Sequence, residues 1–242
     1  MTVERAGEAT VKAKTLEHLR RRGTVSKQSV IATELQIPRS AIRADLAVLA
    51  DEFIGIEIKS ESDSLRRLSS QIGGYLSVFD HVIIVLATKH LRHLEGDIRR
   101  KVEVWELTST AEIVELHPRK DHSPTIPLTA LMTQAEKKRF STSIVQWQPL
   151  TCLSDLQTVR LAERDDFAAA FRSRYGSTSD QFWRAVGRKA IREQHLKYLS
   201  RYHSRRHREK KWHEAQLAFW EEWRVRAAEV FGAARVVDQP ES

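Results

Sequence analysis

The chain has 242 residues, of which 41% are hydrophobic and 30% charged, with a formal net charge of +8. That composition fits a folded protein with a heavily charged surface, and the basic excess points to a polyanionic partner. A single cysteine, Cys152, excludes an internal disulfide, and the longest apolar run, Val82–Ala87, is far short of the roughly 20 residues of a membrane helix. The charged start, MTVERAGEATVKAK, lacks the apolar region of a signal peptide, so a cytoplasmic protein with no membrane partner is expected.

In chain order, Thr10–Arg22 carries Val11, Leu16 and Leu19 among basic residues and reads as a short amphipathic helix ended by Gly23. Val25–Ile37 contains a first strand, VIATELQI, with Glu34 inside it, and Pro38-Arg39-Ser40 is turn chemistry. Ile42–Leu49 and Phe53–Lys59 are the next strands, and the short break between them predicts an antiparallel hairpin. Their apolar continuity predicts central strands covered on both faces. A helix capped by Asp63 or Ser64 runs to Phe79 and buries Leu65, Leu68, Ile72, Leu76 and Phe79. Inside it, Gly73-Gly74 suggests that something approaches the backbone closely. His81–Ala87 is a strand parallel to an earlier one, Thr88–Gly96 a short helix, and Lys101–Leu107 with Glu112–Leu116 a last hairpin.

His117–Pro127 holds three prolines and reads as a linker. The expected organisation is therefore a core over 1–116, a linker over 117–129 and a basic helical region over 130–242. Helices are expected at Leu128–Phe140, at Leu153–Tyr175 (ended by Gly176) and from Ser179 to about Phe231, the last whole or broken near Arg205–Arg208. Residues 184–213 hold eleven Lys and Arg against two acids, a surplus of nine that exceeds the net charge of the whole chain. Arg188, Lys189, Arg192, Arg201, Arg205, Arg206 and Arg208 are thus candidate nucleic-acid contacts, interleaved with Tyr198, Tyr202 and Trp212 as stacking groups. The competing reading packs the aromatics into a small bundle and leaves the basic face solvated. Under it, the C-terminal helices would bind a protein partner or form a homodimer.

The chemistry-bearing residues fall earlier. Glu57 and Lys59 lie two apart on one strand and so share a face, and the hairpin brings Asp45 beside them. Two adjacent carboxylates repel unless one stays protonated or a cation lies between them. A divalent ion with hard oxygen ligands, Mg2+ with Mn2+ as alternative, resolves that conflict and can activate water against a phosphate. Lys59 would then orient the water or steady the phosphorus, and Glu34 would complete the metal shell or act as base. The bland alternative is a solvated strand edge with a Glu–Lys pair.

The run DLAVL-turn-IGIEIKS followed by QIGGY resembles the PD-(D/E)XK, or restriction-endonuclease-like, superfamily. The order helix, three strands, helix, strand matches its αβββαβ core, here with a helical C-terminal region. IGIEIKSESDSLRRLSSQIGGYLSVFDHVIIVLATKH is similar to a largely uncharacterised bacterial family with a G-x-EIKS…D-x-L-x-RL-x-x-Q…Y…FD…V pattern. The resemblance covers residues 25–95. It implies a Mg2+-dependent nuclease acting on DNA, with Asp45, Glu57 and the Ile58 carbonyl as metal ligands and Lys59 as the catalytic lysine. It also implies Glu34 as upstream acid, and Gln71 and Tyr75 as the Q-x-x-x-Y pair that contacts DNA or steadies the site. Ala44 departs from the proline of the superfamily's name. Arg66 and Arg67 would hold a phosphate strand, although solvated arginines explain them as well. A non-catalytic module of the same fold, binding nucleic acid or protein, is the alternative.

Overall fold

The computed structural model describes residues 7–38, 40–140, 153–200, 212 and 215–226. It is an α/β protein with two compact units, Met1–Ser200 and Arg201–Ser242. The first unit runs α1 (Glu8–Arg21), β1 (Val30–Gln36), β2 (Arg43–Leu49), β3 (Phe53–Lys59), α2 (Leu68–Val78) and β4 (His81–Ala87). It continues through α3 (Thr88–Leu91), α4 (Gly96–Arg99), β5 (Glu103–Leu107) and β6 (Ile113–His117), then α5 (Gln134–Phe140), α6 (Leu153–Val186) and α7 (Glu193–Leu196). The strands form one sheet in sequence order, β1-β2-β3-β4-β5-β6. The first three make an antiparallel meander, β3, β4 and β5 are parallel, and β6 returns antiparallel. Helix α2 supplies the crossover that makes β3 and β4 parallel.

Every residue of β3 and β4 is buried. One face of the sheet packs Phe53, Val82 and Ile84 against Ile72 and Tyr75 of α2 and Phe167 and Phe171 of α6. The other packs Ile54, Ile56, Ile83 and Trp105 against Val11, Leu16 and Leu19 of α1. Continuous apolar strands are what a two-sided sheet requires.

Six sequence expectations change. The segment over 117–129 is no spacer between bodies, because Leu128, Leu131 and Met132 join the core beneath α6. Helix α6 passes straight through Gly176 to Val186, since Phe182 and Trp183 continue its buried stripe into the second core. Gly187, at φ +57°, then ends it, so the long pattern expected from Ser179 onward is broken well before Arg205. Thr133 and Glu136 form the reciprocal capping box that starts α5, with Thr133 N–H donating to Glu136 at 2.8 Å and Glu136 N–H to Thr133 Oγ1 at 3.2 Å. The chain before it, Leu128–Leu131, is a separate 3-10 turn. Thr88–Gly96 holds only the one-turn α3 and leads into α4. Helix α2 starts at Leu68, not Asp63, because the Asp63 carboxylate is spent on the turn at Ser60, whose N–H donates to it at 2.7 Å.

Helix α6 also covers the β1 edge: Ile31 N–H donates to Ser179 Oγ at 2.9 Å, and the Trp183 indole donates to the Ser29 carbonyl at 3.0 Å. Covering an edge strand in this way blocks pairing with foreign strands. The close approach expected at Gly73-Gly74 is real at Gly74 alone, where a Cβ would lie 2.6 Å from Ile42 Cδ1. A tighter one occurs on β3, where a Cβ at Gly55 would lie 2.2 Å from the Phe79 ring. That ring is boxed by Phe53 at 4.7 Å and Tyr75 at 5.4 Å between centroids and cannot step aside. Gly55→Ala is therefore expected to destabilise the protein by about 2–3 kcal/mol, read as a lower denaturant midpoint at unchanged slope.

In the second unit the described helix over 215–226 exposes Leu217, Phe219, Trp220 and Trp223, each more than half accessible. Glu221 pairs with Arg224 and Glu222 with Arg226 along it. Among the described residues no helix is long and apolar enough to cross a membrane.

Candidate metal and catalytic site

The meander builds the site. The β2–β3 register pairs Leu46 with Ile56, so one step on it sets Asp45 opposite Glu57. Asp45 Oδ2 accepts the Ile58 N–H at 2.7 Å, which fixes its carboxylate beside the end of β3. On the other side, the β1–β2 pairs Thr33–Leu46 and Leu35–Ala44 bracket Glu34 against Asp45. Glu34 has a left-handed backbone, φ +54°, which costs a residue with a Cβ about 1–2 kcal/mol. The turn resets the strand alternation, since Val30 and Ala32 share a core with Leu35 and Ile37 beyond it. Strain of this kind gathers at functional sites.

Glu57 is 1% exposed and accepts three side-chain donors. Lys59 Nζ lies 2.6 Å from its Oε1, Gln71 Nε2 donates to the same oxygen at 2.6 Å, and the Tyr75 hydroxyl donates to Oε2. The four-residue spacing of Gln71 and Tyr75 puts both on the inner face of α2, directly over the carboxylate. Tyr75 also accepts the Asp45 N–H at 3.2 Å. Burial, reinforced by the Glu57 and Asp45 charges, pushes its phenol far above the usual value, so it stays a donor. A carboxylate has about four lone-pair positions, so three donors leave Glu57 one for a further partner.

Three residues join the site that the sequence reading passed over, Lys12, Glu8 and His90. Lys12 is 7% exposed on α1, with Nζ 2.6 Å from Glu8 and 2.7 Å from Glu34. Burial alone would lower its pKa, but the Glu34 and Glu8 hydrogen bonds outweigh it and hold the ammonium above its ordinary value. Carboxylate oxygens of Glu8, Glu34 and Asp45 all lie within 4.8 Å of one another. The signal was present in the helix period: Glu8, Lys12, Leu16 and Leu19 make one stripe, so a lysine stood on an apolar face. His90, also buried, bonds the Ser60 carbonyl at 2.9 Å and fixes the turn that follows Lys59.

The donor set suits a hard divalent cation. It is all oxygen, and Gln71 Oε1 is buried beside Glu57 with no hydrogen-bond partner. Burial first, then the Glu57 charge, pushes Asp45 up to about 7 from 3.8, which is the signature of a carboxylate short of positive charge. Between 3.8 and about 7 the native state keeps a proton that the unfolded chain releases, so stability falls as pH rises through that window. Asp45→Asn, whose amide oxygen can still accept the Ile58 N–H, is expected to remove this slope. Denaturant unfolding at pH 8 without metal should find it roughly 2–4 kcal/mol more stable than wild type.

Of the proposed nucleic-acid contacts, Arg66 and Arg67 are exposed on the turn into α2. Arg188, Lys189 and Arg192 are exposed on the segment lining α1, where Arg20 donates to the Lys189 carbonyl at 2.9 Å and Ile191 N–H to Glu17 at 2.9 Å. Arg201, Arg205, Arg206 and Arg208 lie outside the described residues, as does Tyr202. A cavity of 1140 Å³ between α1, residues 111–114 and residues 190–194 contains none of the site acids.

The profile of the family described as Bacteriophage P4 protein cII matches residues 1–200. Protein cII of Enterobacteria phage P4 is 34% identical over 102 residues, 42% of this chain and 38% of that protein, so the chain matches less than half of that relative's length. A solved structure of a protein of unknown function from Silicibacter pomeroyi aligns over 51% of this chain and 79% of its own, with 21% identity and a TM-score of 0.35.

Proposed function

The chain belongs to the bacteriophage P4 protein cII family, and we propose that it is a divalent-metal-dependent nuclease that hydrolyses phosphodiester bonds in DNA. The observation that carries this reading is the meeting of Asp45, Glu57 and Lys59 at one end of the β2–β3 hairpin, with Gln71 and Tyr75 of α2 locked onto Glu57. Asp45 and Glu57 would hold Mg2+ or Mn2+, with the Ile58 carbonyl and Glu34 completing the set. The bound ion would supply a water of lowered pKa and neutralise charge growing on the phosphate.

The chain's own groups have separable tasks. Asp45 gives up its proton to become a ligand, so metal affinity should rise as pH passes through about 7. Lys59 points its ammonium at the same oxygen of Glu57 that Gln71 holds, placing a positive charge where the attacking water and a non-bridging phosphate oxygen would lie. Gln71 and Tyr75 keep Glu57 in a single orientation. The exposed Arg66 and Arg67, before α2, would bear on the substrate backbone without reading its sequence.

The test is a cleavage panel of duplex DNA, single-stranded DNA, branched DNA and RNA, with Mg2+, with Mn2+ and with EDTA. Metal-dependent cleavage of DNA forms is expected. Binding of DNA with no cleavage in any metal would favour the non-catalytic module, and cleavage confined to RNA would change the substrate class.

A further inference from the structure

Lys12 is a buried charge beside the proposed ligands that the proposed chemistry leaves unused. Its ammonium bonds two members of the group Glu8, Glu34 and Asp45, whose carboxylate oxygens all lie within 4.8 Å of one another. The lysine itself is buried, at 7% exposed and flanked on α1 by buried Val11, Ala13 and Leu16, while its partners Glu8 and Glu34 face solvent. A tethered cation thus already stands on Glu34 and beside Asp45, two of the proposed ligands.

We propose that Lys12 is the built-in counter-cation of the metal site, bonding Glu34 and Glu8 beside Asp45 when no divalent ion is bound and competing with the ion for Glu34. The inference rests on the reading of this site as a metal centre. Three neighbouring carboxylates repel, and one tethered positive charge offsets part of that repulsion at all times. A divalent ion brings more charge, but an ammonium bonded to Glu34 opposes its entry. Binding through Glu34 therefore requires Lys12 to release that carboxylate. The design keeps the acids folded without metal and sets the metal affinity lower than the oxygens alone would give.

A lysine that only positioned the acids would, when removed, weaken both stability and metal binding. A counter-cation moves the two in opposite directions. Lys12→Met keeps the aliphatic stem and removes the charge. Mn2+ titration calorimetry on the full chain should show Lys12→Met binding the ion about tenfold more tightly than wild type. In EDTA the variant should melt lower than wild type, and it should gain more in Tm on saturation with Mn2+. In the wild-type protein, which does not depend on a variant folding, the Lys12 ammonium resonance should shift in step with Mg2+ occupancy. Equal or weaker Mn2+ binding by Lys12→Met, or a Lys12 resonance unchanged at Mg2+ saturation, overturns the counter-cation role and leaves the metal centre standing. No Mn2+ uptake by either protein overturns the metal centre, and this inference with it.

Discussion

Glu57→Gln and Lys59→Met are each expected to lower metal-dependent DNA cleavage by at least about 100-fold, with the circular dichroism of the folded protein retained. The choice of substitutions follows from the packing. Glu57 and Lys59 are 1% and 8% exposed and bonded to each other, so any neutral substitute leaves the partner charge buried, and alanine would add a cavity that confuses lost chemistry with lost stability. Glutamine keeps the shape of Glu57 but turns one acceptor into a donor facing Tyr75 or Gln71, which should cost about 1–3 kcal/mol. Methionine keeps the stem of Lys59 and leaves Glu57 with two neutral donors. The two variants should differ in binding. Glu57→Gln removes a proposed ligand and should weaken Mn2+ uptake, whereas Lys59→Met removes a positive neighbour and should leave uptake equal or tighter. Wild-type cleavage rates in both variants would sink the nuclease reading.

The site was legible where it depends on local spacing. A strand alternates strictly, so Glu57 and Lys59 had to share a face, and a three-residue break had to return Asp45 beside them. Gln71 and Tyr75 sit one helical turn apart, which fixes them to one side of α2 wherever that helix packs. What escaped were contacts set by packing between distant elements. Glu8 and Lys12 reach Glu34 only because α1 lies across the sheet, and nothing near them in sequence names that neighbour. The expected boundary at 117–129 failed for the same reason. Prolines mark where regular structure stops, not where the core stops, and Leu128 sits under α6 with Phe167 and Phe171. Gly176 misled in the same way, because a glycine within a long buried stripe does not end a helix when Phe182 and Trp183 still have a core to enter.

Asp80→Ala is expected to destabilise the protein by about 2–4 kcal/mol and to lower its Tm by roughly 10 °C. Asp80 lies between α2 and β4 and joins three elements. Its Oδ1 accepts Arg160 at 2.9 Å, and its Oδ2 accepts Arg164 at 3.1 Å and the Phe53 N–H at 3.0 Å. Both arginines belong to α6, and Arg160 is 6% exposed, so the substitution removes the only carboxylate paired with a buried guanidinium among the described contacts. Burial alone would raise the Asp80 pKa, but the Phe53 N–H and the two arginines outweigh it and hold the carboxyl below 3.8. A depressed native pKa contributes stability that is present above 3.8 and lost as pH falls through the native value. The difference between wild type and Asp80→Ala should therefore be full at pH 7 and shrink in acid, and hydrogen exchange should quicken first along α6. A loss below about 0.5 kcal/mol at pH 7 would mean that the aromatic contacts of Phe167 and Phe171 with Phe53 hold α6 unaided. Asp80 engages Phe53, the first residue of β3, while Glu57 and Lys59 stand at its last turns of pleat. Its loss should consequently lower stability without changing Mn2+ affinity, whereas Lys12→Met should lower metal-free stability and tighten Mn2+ binding.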